Sequence, residues 1–380
     1  MIPAYTSAGR GSAPDAPAAV PAVKAAATPS NPTTLSSFLM CVLLAFGRPA
    51  AGSGSRRRWP GKVVRGHYTA TTTAGRGPCL VPGAGPGYNR CMAGPHTAVL
   101  REVLVRYLDA WTPSVLRSHR RATYVEAGRD DAAALRVFAE FADRLAGHEL
   151  DVVLLGGVLL GGGSTARETP PGLSVRSVAG PGDLAVTGPA LAHLDATADG
   201  VLDEPAVWRV VDALLPGKGR EVLLVLPAAT ADRVRADRAR LRDAGLPYAV
   251  TVELADDAGN TRLLLFATGS DKHLTTFKNE LWAADEFAGI RYRDPRDAEH
   301  ALVDISLTPQ LLPLRRVLLA ELARRGSCTV ADLQQHTLRE TIYRPADTIG
   351  VLTAAASAGA ISREPAKGRL SPKTVVAHAR

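Results

Sequence analysis

From His96 onward the apolar positions Val99, Leu100, Val103, Leu104, Tyr107, Leu108 and Trp111 recur at three- and four-residue steps. That stripe predicts an amphipathic helix, with Pro113 marking its kink or its end. The period then shortens. Ala122–Glu126 predicts a short strand, and Asp131–Leu145 returns to helical spacing. Leu150–Leu155 is an apolar run closed by Gly156-Gly157, as expected of a buried strand, and the glycine-rich stretch from Gly161 to Gly172 predicts a loop. Ser174–Val178 and Ala190–Asp195 predict further strands, Ala206–Leu215 a helix, and Glu221–Leu226 the clearest buried strand of the chain. Ala231–Ala244 predicts a charged helix ended by Gly245. Tyr248–Leu254 and Arg262–Thr268 predict a hairpin, because Asp256–Asn260 between them carries turn residues. Strands alternating with helices and closing on a hairpin predict an α/β fold: a mainly parallel, Rossmann-like sheet with an antiparallel edge hairpin.

The pattern changes again in 310–380. Leu311–Arg325 predicts a helix, Cys328–Val330 a short extended piece, and Asp332 the cap of a helix ending near Arg339. Thr348–Ala358 predicts a last helix closed by Gly359. Ala360–Ser362 and Thr374–Ala377 can pair around Lys367-Gly368-Arg369. Helix, strand, helix, helix and two-stranded wing is a winged helix-turn-helix layout. Its expected recognition helix, Thr348–Ala358, has no Arg, Asn or Gln to bond base edges. Basic residues stand around it instead, at Arg339, Arg344, Arg363, Lys367, Arg369 and Lys373. Such charges position a duplex without reading it. Weak, non-specific nucleic-acid binding and protein docking are therefore both expected uses, with docking favoured by the small apolar residues.

Residues 1–95 show no such periods. They are rich in Ala, Pro, Gly, Ser and Thr and hold 10 Lys/Arg against one acid, Asp15. A disordered, low-complexity basic tail is expected there. Phe38–Phe46 is too short to span a bilayer, and it could serve as a signal-peptide core only behind an unusually long leader. Met92 sits where the composition changes and is the expected true start. Three domains follow: 1–95 as tail, 96–309 as α/β domain and 310–380 as winged helix. The formal charge of +8 belongs to the ends. Residues 96–309 carry −7 and 310–380 carry +6, so the overall charge says little about the α/β part. Four cysteines without CxxC spacing give neither a disulfide framework nor a zinc site, and no metal and no membrane are expected. There is no Walker A loop, no HExxH and no GxSxG.

Three segments resemble one family. His96-Thr97, followed by Leu100, Val103, Leu104, Tyr107, Leu108 and Ala110-Trp111, is similar to the HT…YLxAW helix of the three-Cys-motif partner proteins (TcmP). Phe266-Ala267-Thr268 and Phe277-Lys278-Asn279-Glu280-Leu281-Trp282 resemble that family's FAT strand and MKxxMW helix. Glu340-Thr341-Ile342-Tyr343 resembles its ETxY segment. The resemblance covers about 96–380. It implies a class I methyltransferase-like core, S-adenosylmethionine as cofactor, a cytoplasmic location and a three-Cys-motif protein as partner. The family's glycine-rich turn matches Glu126-Ala127-Gly128-Arg129-Asp130, where only Glu126 and Gly128 keep an ExG pair for the cofactor. The alternative there is an ordinary strand-to-helix turn. The family's DPFG-like segment falls on His193-Leu194-Asp195-Ala196-Thr197. Asp195, at a strand's carboxyl end, and His193 two residues before it are the candidate catalytic pair, against a turn-initiating Asp and a structural His. Lys278 and Trp282, one helical turn apart, share a face. Packing is expected of Trp282, and a phosphate contact or plain solvation of Lys278. Two functions are open: a methyltransferase-like enzyme working with a partner protein or nucleic acid, and a non-catalytic adaptor that has lost the cofactor.

Overall fold

The computed structural model describes residues 94–128, 131–156, 170–197, 202–285 and 289–379. Expectations for the tail, for Met92 and for the glycine-rich stretch 157–169 fall outside these residues. The first apolar stripe forms helix α1, Pro95–Ser118, which does not end at Pro113 but continues past it. The carbonyl that Pro113 leaves without a donor belongs to Asp109, on the exposed face, where water can satisfy it.

Strand β1 (Arg121–Ala127) follows, then α2 (Asp131–Glu140), the short α3 (Ala142–Leu145), β2 (Glu149–Leu155), β3 (Leu173–Val178) and β4 (Ala190–Asp195). The single helix expected over Asp131–Leu145 is broken at Phe141, which leaves Phe138 and Phe141 both buried. Next come α4 (Glu204–Leu214), β5 (Arg220–Pro227), α5 (Ala231–Asp243), β6 (Tyr248–Ala255), β7 (Thr261–Thr268) and α6 (Asp271–Ala283). Two three-residue strands, β8 (Arg291–Arg293) and β9 (Leu302–Asp304), are too short to show a period and were not expected.

These strands form one sheet in the order β3-β2-β1-β4-β5-β7-β6-β8-β9. The first five are parallel, and β7 runs antiparallel to both β5 and β6. Alternating residues of each strand serve two apolar layers. Tyr124, Leu191, Leu223 and Val225 pack with α1, α2 and α6, while Val125, Ala192, Val222 and Leu224 pack with α4 and α5. Helices on both faces and a mainly parallel sheet make this a Rossmann-like α/β fold. Glu221–Leu226 is buried throughout, as its lack of a polar face required.

The remaining elements are α7 (Leu312–Arg325), β10 (Ser327–Thr329), α8 (Val330–Glu340), α9 (Asp347–Ser357), β11 (Ile361–Glu364) and β12 (Val375–His378). The three strands pair in the order β10-β12-β11. The cap of α8 is Thr329 rather than Asp332. Asp332 stands three residues on and bonds back to the Thr329 backbone, closing a capping box. Leu314, Leu318, Leu322, Leu333, Val351, Leu352 and Val376 join the same apolar layer as α1 and α6. Among the described residues no helix is long and apolar enough to cross a membrane.

Candidate functional site

In a doubly wound sheet, ligands bind beyond the carboxyl ends of the strands, where the strand order reverses. Here that point lies between β1 and β4, which pair in parallel with Glu126 opposite His193. Side chains on alternate residues share a face, so Tyr124, Glu126, His193 and Asp195 project to the same side. Glu126 is buried. Its Oε1 lies 2.8 Å from His193 Nδ1, and its Oε2 accepts from the Tyr124 hydroxyl. In the neutral tautomer whose Nδ1 donates to the carboxylate, His193 Nε2 carries no hydrogen. Gly128 closes the group. A Cβ there would stand 2.9 Å from Glu126 Oε1, 3.6 Å from Asp195 Cβ and 3.9 Å from His193 Cε1.

The four residues expected for catalysis and cofactor binding thus meet in one place, with changed pairings. The carboxylate that meets His193 is Glu126. Asp195 Oδ1 accepts from the Thr197 backbone N–H at 2.7 Å and from its hydroxyl at 2.6 Å, the bonds of a turn-initiating aspartate. Tyr124 was missed, although its place two residues before Glu126 in a strand was a usable signal. At the end of β2, where an acid would bond ribose hydroxyls, stand Leu155 and Gly156. Of the two acids within β2, Asp151 is engaged by Arg176 and Ser174, and Glu149 by Arg121.

A second buried carboxylate lies at the opposite end of the sheet. Glu221 accepts from Tyr107 at 2.7 Å, from Thr268 at 2.8 Å, and pairs with His273 Nδ1. The hydrogen bond to Glu221 raises the His273 pKa against the lowering effect of burial, and burial beside Glu221 pushes the Tyr107 phenol well up.

The basic residues expected around the last helix divide into two sets. Arg344 chelates Asp347 and donates to the Leu307 carbonyl, Arg339 chelates Asp271, and Arg363 donates to the carbonyls of Pro365 and Gly368. Lys367, Arg369 and Lys373 are exposed. Helix α9 buries Thr348, Val351, Leu352 and Ala355, and turns Gly350, Thr353, Ala354 and Ser357 outward. Lys278 is neither solvated nor placed for a phosphate. It is fully buried, and its Nζ donates to the carbonyls of Thr337, Thr341 and Tyr343. Among the described residues no group of three or more His, Cys, Asp or Glu side chains could hold a metal ion.

No family model matches the chain, and no curated protein matches it. Solved structures do. A 16S rRNA (adenine(1408)-N(1))-methyltransferase mutant from Catenulisporales acidiphilia matches at 17% identity over 42% of this chain and 90% of its own, with a TM-score of 0.26. An N-terminally truncated METTL16 methyltransferase domain matches at 13% identity over 44% and 83%, with a TM-score of 0.28. A class I S-adenosylmethionine-dependent methyltransferase from Listeria monocytogenes matches at 9% identity over 47% and 62%, also with a TM-score of 0.28.

Proposed function

We propose that this chain is a methyltransferase-like protein of the three-Cys-motif partner type, which works at the carboxyl-end crevice between β1 and β4 together with a partner protein or nucleic acid. The observation that carries this is the Tyr124–Glu126–His193 group, packed against Gly128 at the switch point of the sheet. S-adenosylmethionine, when bound, supplies the methyl group. Glu126 and Gly128 fit its approach over the end of β1: the glycine leaves room for close contact, and the acid is fixed beneath it. Glu126 orients the His193 ring through Nδ1, and the imidazole is the group at this site that would serve as general base toward an acceptor. Leu155-Gly156 does not supply the ribose-binding acid, and this one feature favours the second reading, an adaptor that keeps the fold without the cofactor.

The order helix, strand, helix, helix and paired strands in 312–378 supports a winged helix. The small, uncharged outward face of α9 supports its use for protein docking, and Lys367, Arg369 and Lys373 support weak phosphate contact. Three phosphate contacts give duplex binding a log–log salt slope of roughly −3, whereas apolar docking barely responds to salt. Fluorescence anisotropy on a random duplex at two salt concentrations separates the two, and tight sequence-selective binding would rule out both.

Calorimetry with S-adenosylmethionine tests the enzyme reading. The expected result is a Kd below about 100 μM, equivalent to about −5.5 kcal/mol. Binding should weaken in Glu126→Gln and in Gly128→Ala, where the new methyl pushes Glu126 Oε1 aside. No heat and no thermal shift with the folded wild type would leave the adaptor.

A further inference from the structure

At the amino end of the sheet, away from the crevice, a cavity of about 350 Å³ opens between the turns that lead into β4 and β5. It is lined by His119, Gly188, Pro189, Lys218, Gly219 and Arg220, with no carboxylate among them. Arg220 is 8% exposed. It donates to the carbonyls of Gly188 and Pro216, and its Nε is buried with no partner. The guanidinium lies against Gly217, where a Cβ would come within 2.6 Å of Nη2.

A guanidinium keeps its charge, and burying it costs several kcal/mol unless an anion answers it. The acids of the neighbouring elements β5, β2 and α4 are committed elsewhere. Glu221, the next residue in the strand, projects to the other face and is held by Tyr107, Thr268 and His273. Glu149 pairs with Arg121, and Asp212 with Arg240. Burial accordingly lowers the Arg220 pKa, with no carboxylate opposing it. Lys218 and His119 add donors at the exposed rim of the same cavity.

We infer that this cavity is an anion site that takes a phosphate group, with Arg220 as its buried charge and Lys218 and His119 as its rim. Several converging donors suit the many acceptor oxygens of a phosphate better than a single carboxylate. A small phosphomonoester and a nucleic-acid backbone both carry such a group, and the two sources differ in the probe that binds.

The test is thermal unfolding of the full chain in increasing inorganic phosphate, with sodium chloride at matched ionic strength as reference. A short random duplex is then titrated by fluorescence anisotropy. Lys218→Glu is the main variant, because Lys218 is exposed and its loss leaves the core intact. Lys218→Ala combined with His119→Ala is the second. A saturable rise in midpoint with phosphate, weakened about tenfold or more in both variants, supports a small phosphorylated ligand. Duplex binding lost in both variants, with little response to inorganic phosphate, supports a backbone phosphate. No response to either probe, or the same response in wild type and variants, overturns the site.

Discussion

An ammonium group cut off from water needs three acceptors, and Lys278 has them. Its Nζ reaches the carbonyls of Thr337 at 3.0 Å, Thr341 at 2.6 Å and Tyr343 at 2.8 Å, all 59 to 65 residues along the chain. One turn later Trp282 donates to the Ile342 carbonyl at 2.9 Å and stacks on Tyr343. The one-turn spacing of Lys278 and Trp282 was legible in the sequence. The use of Lys278 was not, because its acceptors are backbone atoms of a distant segment, and backbone carbonyls leave no mark in side-chain spelling. Burial pulls the Lys278 pKa well down. Lys278→Met is expected to destabilise the protein by about 2–5 kcal/mol, since it strands the buried carbonyls of Thr341 and Tyr343 and leaves that of Thr337 only the Thr341 hydroxyl. Lys278→Arg is not expected to rescue it, because a flat fork cannot meet a tripod of carbonyls. Urea midpoints would check both, and a loss below about 1 kcal/mol for the Met variant would contradict the role given to these bonds.

Between elements, the face that α7 turns to α8 carries a buried carboxylate. Glu321, near the end of α7, is held by Arg324 and Arg325 and lies 3.5 Å from His336 of α8. The hydrogen bond from Arg324 brings its pKa down from 4.5 to about 2, against the opposing effect of burial. A carboxylate whose folded pKa lies below its unfolded value stabilises the protein above the unfolded pKa and loses that contribution as pH falls. The stability gap between wild type and Glu321→Gln should therefore be constant at neutral pH and close between pH 4.5 and about 2. A gap that persists at the acid limit would mean that the pairs carry no net stability. His273 has the opposite sign. Its pKa is raised by Glu221, so its contribution is complete below the ordinary value of 6.5 and fades as pH rises through the folded one. Neither pairing was legible in the sequence. Glu321 reads there as one more charge on a helix, and Glu221 as the start of an apolar strand. The strands themselves were legible, because β2, β4 and β5 are buried on both faces and have no polar period to blur them.

At the scale of the whole molecule, the segments that resemble the three-Cys-motif partner family form an internal frame and stand apart from the crevice. His96 ties the start of α1 to the Leu254 carbonyl, and Tyr107 holds Glu221. Phe266 and Phe277 stack at 4.2 Å under Tyr107, and Lys278 and Trp282 grip 337–343. These spellings could be read without a structure because each encodes packing. The crevice could be located only as strand ends, since its pairing of Glu126 with His193 depends on the register of two strands far apart in sequence. The frame also bears on how the chain unfolds. The apolar layer of α1 and α6 continues without a break into α7, α8, α9 and β12. Residues on either side of 310 therefore share one core, and separating them would strip Trp282 of Tyr343 and leave the Lys278 ammonium among unpaired apolar neighbours. Residues 94–379 are expected to unfold in one transition, with calorimetric and van't Hoff enthalpies equal. A chain ending at Pro309 should lose that transition and bind a hydrophobic dye, because the apolar face of α6 would then meet water. Two resolved transitions in the full chain, or a cooperative transition in the shortened one, would show that the C-terminal helices fold apart from the sheet and that the Lys278 and Trp282 contacts form only on docking.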